Sequence, residues 1–391
     1  MRVPRRTFIP SQPGDLTPRW LTDQLRAHGG LPATSEVVGF DVGPLGGGQG
    51  LSGELMRVSL RYHGDQGRAP DSVIAKFPTT NLQNRGMIEA LGTYEREISF
   101  YRGVAGQVPI RVPRHFGSDF DTARLTTTAK AGGSRLLERM PAGVHVAVTR
   151  DVTKFMRATS RRYALLIEDM GDGQVYDLVE PPGPELLEQV LGELAVVHSH
   201  FWGGEGLESV ARQGRAVTHI PVVQANVARE RAIPACIERW PDLTDAQIAM
   251  LYEAAERFPE DTARLNRPIT LIHGDTRTDN VIYRDDGSLA LLDWAMTSVA
   301  DPGFDVGYLL SSSVMPDDGR PMARKLAEAY HEALTAHGVA HPFDDLWESI
   351  EACCRAQLVQ MALTVVFFEA SYGDVDPCDL WIPRALACLL D

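Results

Sequence analysis

LIHGDTRTDNVIYRDDGSLALLDW, residues 271–294, places His273, Gly274 and Asp275 after one short apolar run and Asp293 at the end of another, with Asn280 five positions beyond Asp275. The pattern predicts a strand over 269–272, a loop over HGDTRTDN, a strand over 281–283, a hairpin-type turn at DDG and a strand over 289–292. Asp275 and Asp293 are then expected to project from one end of a small hairpin sheet. Phosphoryl transfer needs such a set: a carboxylate to orient an attacking hydroxyl and accept its proton, and hard oxygen ligands for magnesium on the nucleotide phosphates. Asp275 fits the first role, Asn280 and Asp293 the second. Each residue alone has a plainer use, His273 as a hydrogen-bonded core imidazole and the acids as turn caps. The four at this spacing, downstream of a glycine loop and a lysine in an apolar strand, favour the chemical reading.

Upstream, residues 37–45 read as a strand running into PLGGGQGLSGELMRVSLRY, where Gly48, Gly50 and Gly53 form a GxGxxG. A dinucleotide-binding turn must open a helix. Here Met56, Val58, Leu60 and Tyr62 alternate with Arg57, Ser59 and Arg61, a period of two that predicts a second strand. Strand, glycine loop, strand is the arrangement that covers nucleotide phosphates in kinases, although a plain hairpin would look the same. The next strand, SVIAKF, carries Lys76, whose burial requires either an anionic partner or a path to solvent. Residues 84–102 form an apolar stripe at helical spacing, with Glu95 and Glu97 on its opposite flanks; either could reach Lys76, and periodicity does not choose. YALLIEDM (163–170) predicts a strand ending in acids, a natural connection between two lobes. Helices are expected at 17–28, 186–202, 244–258, 321–337 and 344–371. A strand-rich beginning and a helix-rich remainder give an α+β, two-lobed fold, with a first lobe over 1–168 and a second over 169–391.

Composition bounds the function. The chain has 391 residues, 44% of them hydrophobic and 23% charged, ordinary for a globular protein. Its net charge of −14 disfavours a nucleic-acid partner. The five cysteines show neither CxxC pairs nor a zinc pattern, so reduced thiols and a cytoplasmic location are expected. No apolar run approaches 18 residues and the N-terminal arginines precede no apolar segment, so no membrane association is expected. Residues 122–162 stand apart, with nine Lys/Arg against Glu138 and Asp151. Such a segment is expected either to pair with the acidic body of the protein or to meet a phosphate-bearing ligand.

HGD, four residues, Asn, then LLDW resembles the aminoglycoside phosphotransferase and choline kinase superfamily, in particular its ecdysteroid-kinase-like branch of small-molecule kinases. The resemblance covers roughly residues 35–375 and implies a two-lobed, protein-kinase-like fold, ATP and Mg2+ as cofactors, and a small-molecule alcohol as substrate. It implies Asp275 as base and Asn280 and Asp293 as metal ligands. It also implies a loop over the phosphates at Gly48, Gly50 and Ser52, Lys76 on the α- and β-phosphates with Glu97 as its helix partner, and an adenine-binding hinge at Glu168 to Met170. His198 matches a characteristic histidine of the second lobe, and Asp305, in DPGFDVGYLL, an aspartate that braces the catalytic loop. Two departures stand out: Asp279 where relatives carry glycine, and the basic insertion 122–162, where many have a short hairpin. A catalytically silent nucleotide-binding module is the alternative, disfavoured because no expected catalytic position is lost; a protein kinase would show HRD, DFG and APE. The acceptor is not specified. Glu369, Asp374, Asp376 and Asp379 suit a cationic amine, while Trp202, Phe367, Phe368 and Trp381 suit an apolar alcohol, and a hydroxyacyl thioester is a further possibility. Oligomeric state is also open.

Overall fold

The computed structural model describes residues 8–45, 53–121, 161–171, 173–212, 215–218, 220–367 and 375–390. The expected phosphate loop at Gly48, Gly50 and Ser52, the basic insertion as far as residue 160, and Glu369, Asp374 and Phe368 lie outside the described residues. The rest forms two compact units, one holding the described residues within 1–106, 113–126 and 150–172, the other those within 107–112 and 173–391.

The first unit is an antiparallel sheet of five strands, β1 (Glu36–Pro44), β2 (Gly53–His63), β3 (Ser72–Pro78), β4 (His115–Phe120) and β5 (Tyr163–Glu168), in the order β1-β2-β3-β5-β4. The alternation read in β2 is real: Val58 and Leu60 join Trp20, Leu21, Val73, Phe77 and Phe116 in the core, with Met56 and Tyr62 packed against it. β3 is central and buried along nearly its whole length. That position puts Lys76 inside the protein, between Leu55 on one neighbouring strand and Leu165 on the other. Gly53 serves the same sheet, because a Cβ there would stand 2.5 Å from the Phe77 carbonyl oxygen. The first helix, α1 (Pro18–Gln24), starts where expected, with Thr17 Oγ1 accepting the Trp20 N–H at 3.2 Å.

The single helix expected over 84–102 is two, α2 (Leu82–Leu91) and α3 (Thr93–Gly103). Gly92 adopts φ +70°, a left-handed conformation that ends α2 while its N–H still reaches the Ile88 and Glu89 carbonyls. The apolar stripe continued across the break, so periodicity concealed it.

The second unit is mainly helical: α4 (Pro184–His200), α5 (Pro221–Val227), α6 (Ile233–Arg239), α7 (Asp245–Leu265), α8 (Gly303–Ser313), α9 (Gly319–Ala336), α10 (Phe343–Phe367) and α11 (Pro377–Leu389). α7 opens with a capping box between Thr244 and Gln247. α10 is long and apolar enough to cross a membrane by composition, with mean hydropathy 1.3. It is nevertheless a core helix here, packed by α7, α8 and α11 and tied to α7 by a bidentate Arg355–Asp261 pair at 2.8 and 2.9 Å. All five cysteines are buried and none is disulfide-bonded.

The expected small sheet is corrected in one respect. β6 (Thr270–Ile272) pairs with β9 (Ser298–Ala300), while β7 (Val281–Tyr283) and β8 (Leu289–Leu291) form their own hairpin. The apolar content of 269–272 is that of a buried strand, and it cannot identify the partner.

Candidate active site

Asp305 organises the HGD loop of the second unit. It sits buried near the start of α8 and accepts two backbone N–H groups at once, His273 N on Oδ2 at 2.6 Å and Gly274 N on Oδ1 at 2.8 Å. Thr276 Oγ1 donates to the Asp305 carbonyl at 2.8 Å. Behind it His198, on α4, lies between Asp305 Oδ2 at 3.2 Å and the Tyr330 hydroxyl at 2.7 Å. These groups are fully buried, so each needs the others as hydrogen-bonding partners. Burial, then the Asp305 charge, raises the Tyr330 phenol far above its ordinary range, which keeps it a donor.

Gly274 has φ +83°, and a Cβ would stand 2.3 Å from the Met296 carbonyl oxygen, so only glycine fits between His273 and Asp275. His273 Nδ1 accepts the Asp275 N–H at 3.2 Å, which leaves Nε2–H to donate to the Leu292 carbonyl at 2.7 Å. The imidazole thus ties the loop to the residue before Asp293. Its ring packs on Trp294 at 4.6 Å.

Asp275 is held on several sides. Arg277 Nε donates to Oδ1 at 2.9 Å, and Asn280 Nδ2 donates to Oδ2 at 3.0 Å and to the Asp275 carbonyl at 2.8 Å. Asp279, the departure from the family pattern, pairs with the same guanidinium at 3.4 Å. Burial opposes the Arg277 charge, but Asp275 and Asp279 outweigh it and raise its pKa above the ordinary arginine value. Tyr308 flanks Asp275 from α8; burial, then that carboxylate, raises its hydroxyl well above the phenol range. Tyr308 escaped the sequence reading although a signal existed, since it lies three residues past Asp305 and so on the same helix face. Tyr330 left no comparable trace.

Asn280 and Asp293 are brought together by the β7–β8 hairpin. Val281 opposes Leu291, and the Leu292 N–H donates to the Asn280 carbonyl at 2.8 Å. Asp293 has φ 54° and ψ 69°, the one positive φ of a non-glycine among the described residues. Such a conformation costs on the order of 1–3 kcal/mol and persists only where the surroundings enforce it. The donor set suits Mg2+. With its amide nitrogen committed to Asp275, Asn280 would present Oδ1 and Asp293 a carboxylate oxygen, the hard donors that such an ion takes.

In the first unit, Lys76 Nζ donates to Glu97 Oε1 at 2.9 Å, both side chains being buried. The other candidate, Glu95, pairs with Arg161 instead. Arg162 forms a bidentate pair with Asp121 at 2.9 and 3.0 Å. The two described arginines of the basic insertion are therefore paired with the protein's own acids. Glu168 ends β5 with its N–H donated to the Arg114 carbonyl at 2.9 Å, and Met170 is buried. Between them Asp169 receives Ser72 Oγ at 2.7 Å and Arg57 at 2.8 Å, which fastens the segment to the sheet.

Of the acids expected to suit a cationic acceptor, Asp376 and Asp379 each pair with Arg239 at 2.8 Å. Of the aromatics, Trp381 packs on Tyr308 at 5.6 Å and Trp202 on His341 at 5.5 Å.

A buried lysine–glutamate pair on an antiparallel sheet, with an HGD loop braced from below and a strained aspartate following its hairpin, defines a protein of the kinase-like fold. The chain belongs to the phosphotransferase enzyme family, whose model matches residues 82–343, more than half of its length. Among solved structures it is similar to the GDP complex of aminoglycoside 2'-phosphotransferase-IIIa, with 13% identity, 96% of this chain and 100% of that one covered, and a TM-score of 0.51. A Ralstonia eutropha JMP134 protein described as a candidate aminoglycoside phosphotransferase matches at 15% identity over 95% of this chain and 96% of that one, with a TM-score of 0.50. At these identities the likeness is one of fold. In sequence, residues of this chain match mouse (Mus musculus) acyl-CoA dehydrogenase family member 10 at 26% identity over 141 residues, 35% of this chain. The match spans only 12% of that relative's length.

Proposed function

We propose that this protein is a cytoplasmic, ATP-dependent phosphotransferase that phosphorylates a hydroxyl group of a small molecule. The observation that carries the reading is the joint placement of Asp275, Asn280 and Asp293 around one hairpin end, locked by Asp305 and His273. Asp275 orients the acceptor hydroxyl and takes its proton as the oxygen attacks the γ-phosphorus; the bond to the bridging oxygen breaks and ADP leaves. Arg277 and Asn280 fix the rotamer of that carboxylate, so that little is left to reorganise during reaction. Asn280 and Asp293 would hold Mg2+, which when bound would neutralise charge on the phosphates. Lys76, paired with Glu97, would contact the α- and β-phosphates, and Glu168 to Met170 would receive adenine; Gly48, Gly50 and Ser52 stay assigned to the phosphates by sequence alone. In this reading residues 1–168 bind nucleotide and 169–391 carry the catalytic and acceptor groups.

Charge bears on the acceptor class. Because Arg239 already neutralises Asp376 and Asp379, these acids favour a polycationic amino sugar less than the bare sequence suggests. The test is calorimetric titration of ATP with and without magnesium, on the wild type and on Asp293→Ala, followed by an acceptor screen across amino sugars, choline-like amines, hydroxylated terpenoids and hydroxyacyl thioesters. Magnesium-dependent binding that weakens in the variant is expected. Binding indifferent to both would remove the metal assignment.

A further inference from the structure

We infer that the segment Arg161 to Tyr163, at the entrance of β5, is the positioning element of the Lys76–Glu97 pair. The inference rests on the proposed role of that pair at the nucleotide phosphates and adds what holds it in place.

A buried ion pair is tolerable only when the remaining lone pairs of its carboxylate are also satisfied. Lys76 takes Glu97 Oε1, and the Tyr163 hydroxyl, itself buried, donates to Oε2 at 2.8 Å. Each oxygen of Glu97 thus faces a different donor, and the carboxylate plane is fixed between a strand and a tyrosine of the neighbouring strand. Tyr163 is braced in turn by Tyr94 of α3, ring to ring at 4.7 Å. Its partner strand is settled too, since Lys76 and Tyr163 lie on adjacent strands with Lys76 opposite Leu165.

Two residues earlier, and so on the same side of an extended chain, Arg161 grips the helix that carries Glu97 and the one before it. It pairs with Glu89 of α2 at 2.6 Å and with Glu95 of α3, while its carbonyl accepts Arg85 of α2 at 2.6 Å. Burial opposes the Arg161 charge, and the two glutamates more than offset it. Arg162 points the opposite way, to Asp121 at the end of β4. The alternation has a sorting effect. With Glu95 engaged by Arg161, Glu97 alone is left to meet Lys76, the choice that helical periodicity left open.

The inference predicts that Tyr163→Phe, which removes one oxygen and little packing volume, takes one donor away from Glu97 Oε2. The carboxylate is then less firmly oriented toward Lys76, which weakens the placement of its ammonium for the phosphates. Nucleotide affinity by calorimetry should fall about fivefold to tenfold, the KM for ATP should rise in parallel, and kcat should change less. Against a Glu97→Gln background the same substitution should have little further effect, because the two residues act as one unit. Tyr62→Phe, which deletes a half-buried hydroxyl that donates to the Pro70 carbonyl before β3, should leave nucleotide affinity unchanged. Unaltered ATP affinity in Tyr163→Phe, or losses that simply add to those of Glu97→Gln, would reduce Tyr163 to a structural residue and overturn the inference. Should Tyr163→Phe fail to fold, Arg161→Gln carries the test by the same calorimetric readout, with unchanged affinity again the overturning result. A wild type that binds no nucleotide would instead overturn the underlying reading of the pair.

Discussion

Asp275 is surrounded by donors that do not compete for one role. Arg277 and Asn280 approach it from within the loop, and Tyr308 from the helix below. Replacing it by Asn keeps the size of the group and removes its basicity, so ATP binding should persist while kcat falls by about 10²-fold or more, measured by single-turnover phosphoryl transfer. Full activity in that variant would dismiss it as the base. Arg277 presents a different expectation. It is the cation between Asp275 and Asp279, and Arg277→Leu would leave two largely buried carboxylates facing one another. A loss of about 3–5 kcal/mol in chemical denaturation is expected, and Asp279→Gly in the same chain should recover part of it by removing one of the two charges. Equal stability of wild type and Arg277→Leu would show that the triad is held by other contacts.

At the scale of elements, the HGD loop is a turn whose geometry is enforced from outside. Asp305 on α8 collects two loop N–H groups, and His273 carries the connection on to Leu292, just past β8. At Gly274 the loop passes close against another backbone, the Met296 carbonyl. Gly274→Ala therefore has to move either the loop or the turn after Asp293, and both carry proposed functional groups. We expect Gly274→Ala to fold with a lowered melting temperature and to lose magnesium-dependent nucleotide affinity together with turnover. A variant with wild-type affinity would mean that the loop yields without disturbing Asp293. The helix break at Gly92 shows the same lesson in a milder form: a left-handed glycine redirected an apolar stripe that looked continuous.

For the whole molecule, the pH dependence of stability has an identifiable contributor in His115 of β4. Burial, then the neighbouring His28 and Arg102, lowers its pKa to about 4 from an ordinary value of 6.5. The unfolded chain takes up this proton below pH 6.5, whereas the folded chain resists until about pH 4. Stability is therefore complete above 6.5 and declines as pH falls through that window, by about 3 kcal/mol for this group at most. Urea denaturation of wild type and His115→Gln at pH 7.5 and pH 4.5 should show a smaller acid loss in the variant. An identical loss in both would assign the acid sensitivity to other groups.

The sequence alone determined the strand alternation in β2, the apolar strand that carries Lys76, and the order of the HGD loop, Asn280 and Asp293, because these are local patterns with periods of two or fixed spacings. It also carried the family resemblance, through a motif short enough to be read without neighbours. Helical periodicity left open which glutamate meets Lys76 and the resemblance implied Glu97; tertiary structure shows what sorts the two, Arg161 just before β5 for Glu95 and Tyr163 for Glu97. It likewise decided that β6 pairs with β9, that Asp279 turns to Arg277, and that Asp376 and Asp379 are bound by Arg239. Each of these depends on a partner distant in sequence, and a charge or an apolar run shows only that a partner is needed, not which one the fold will bring.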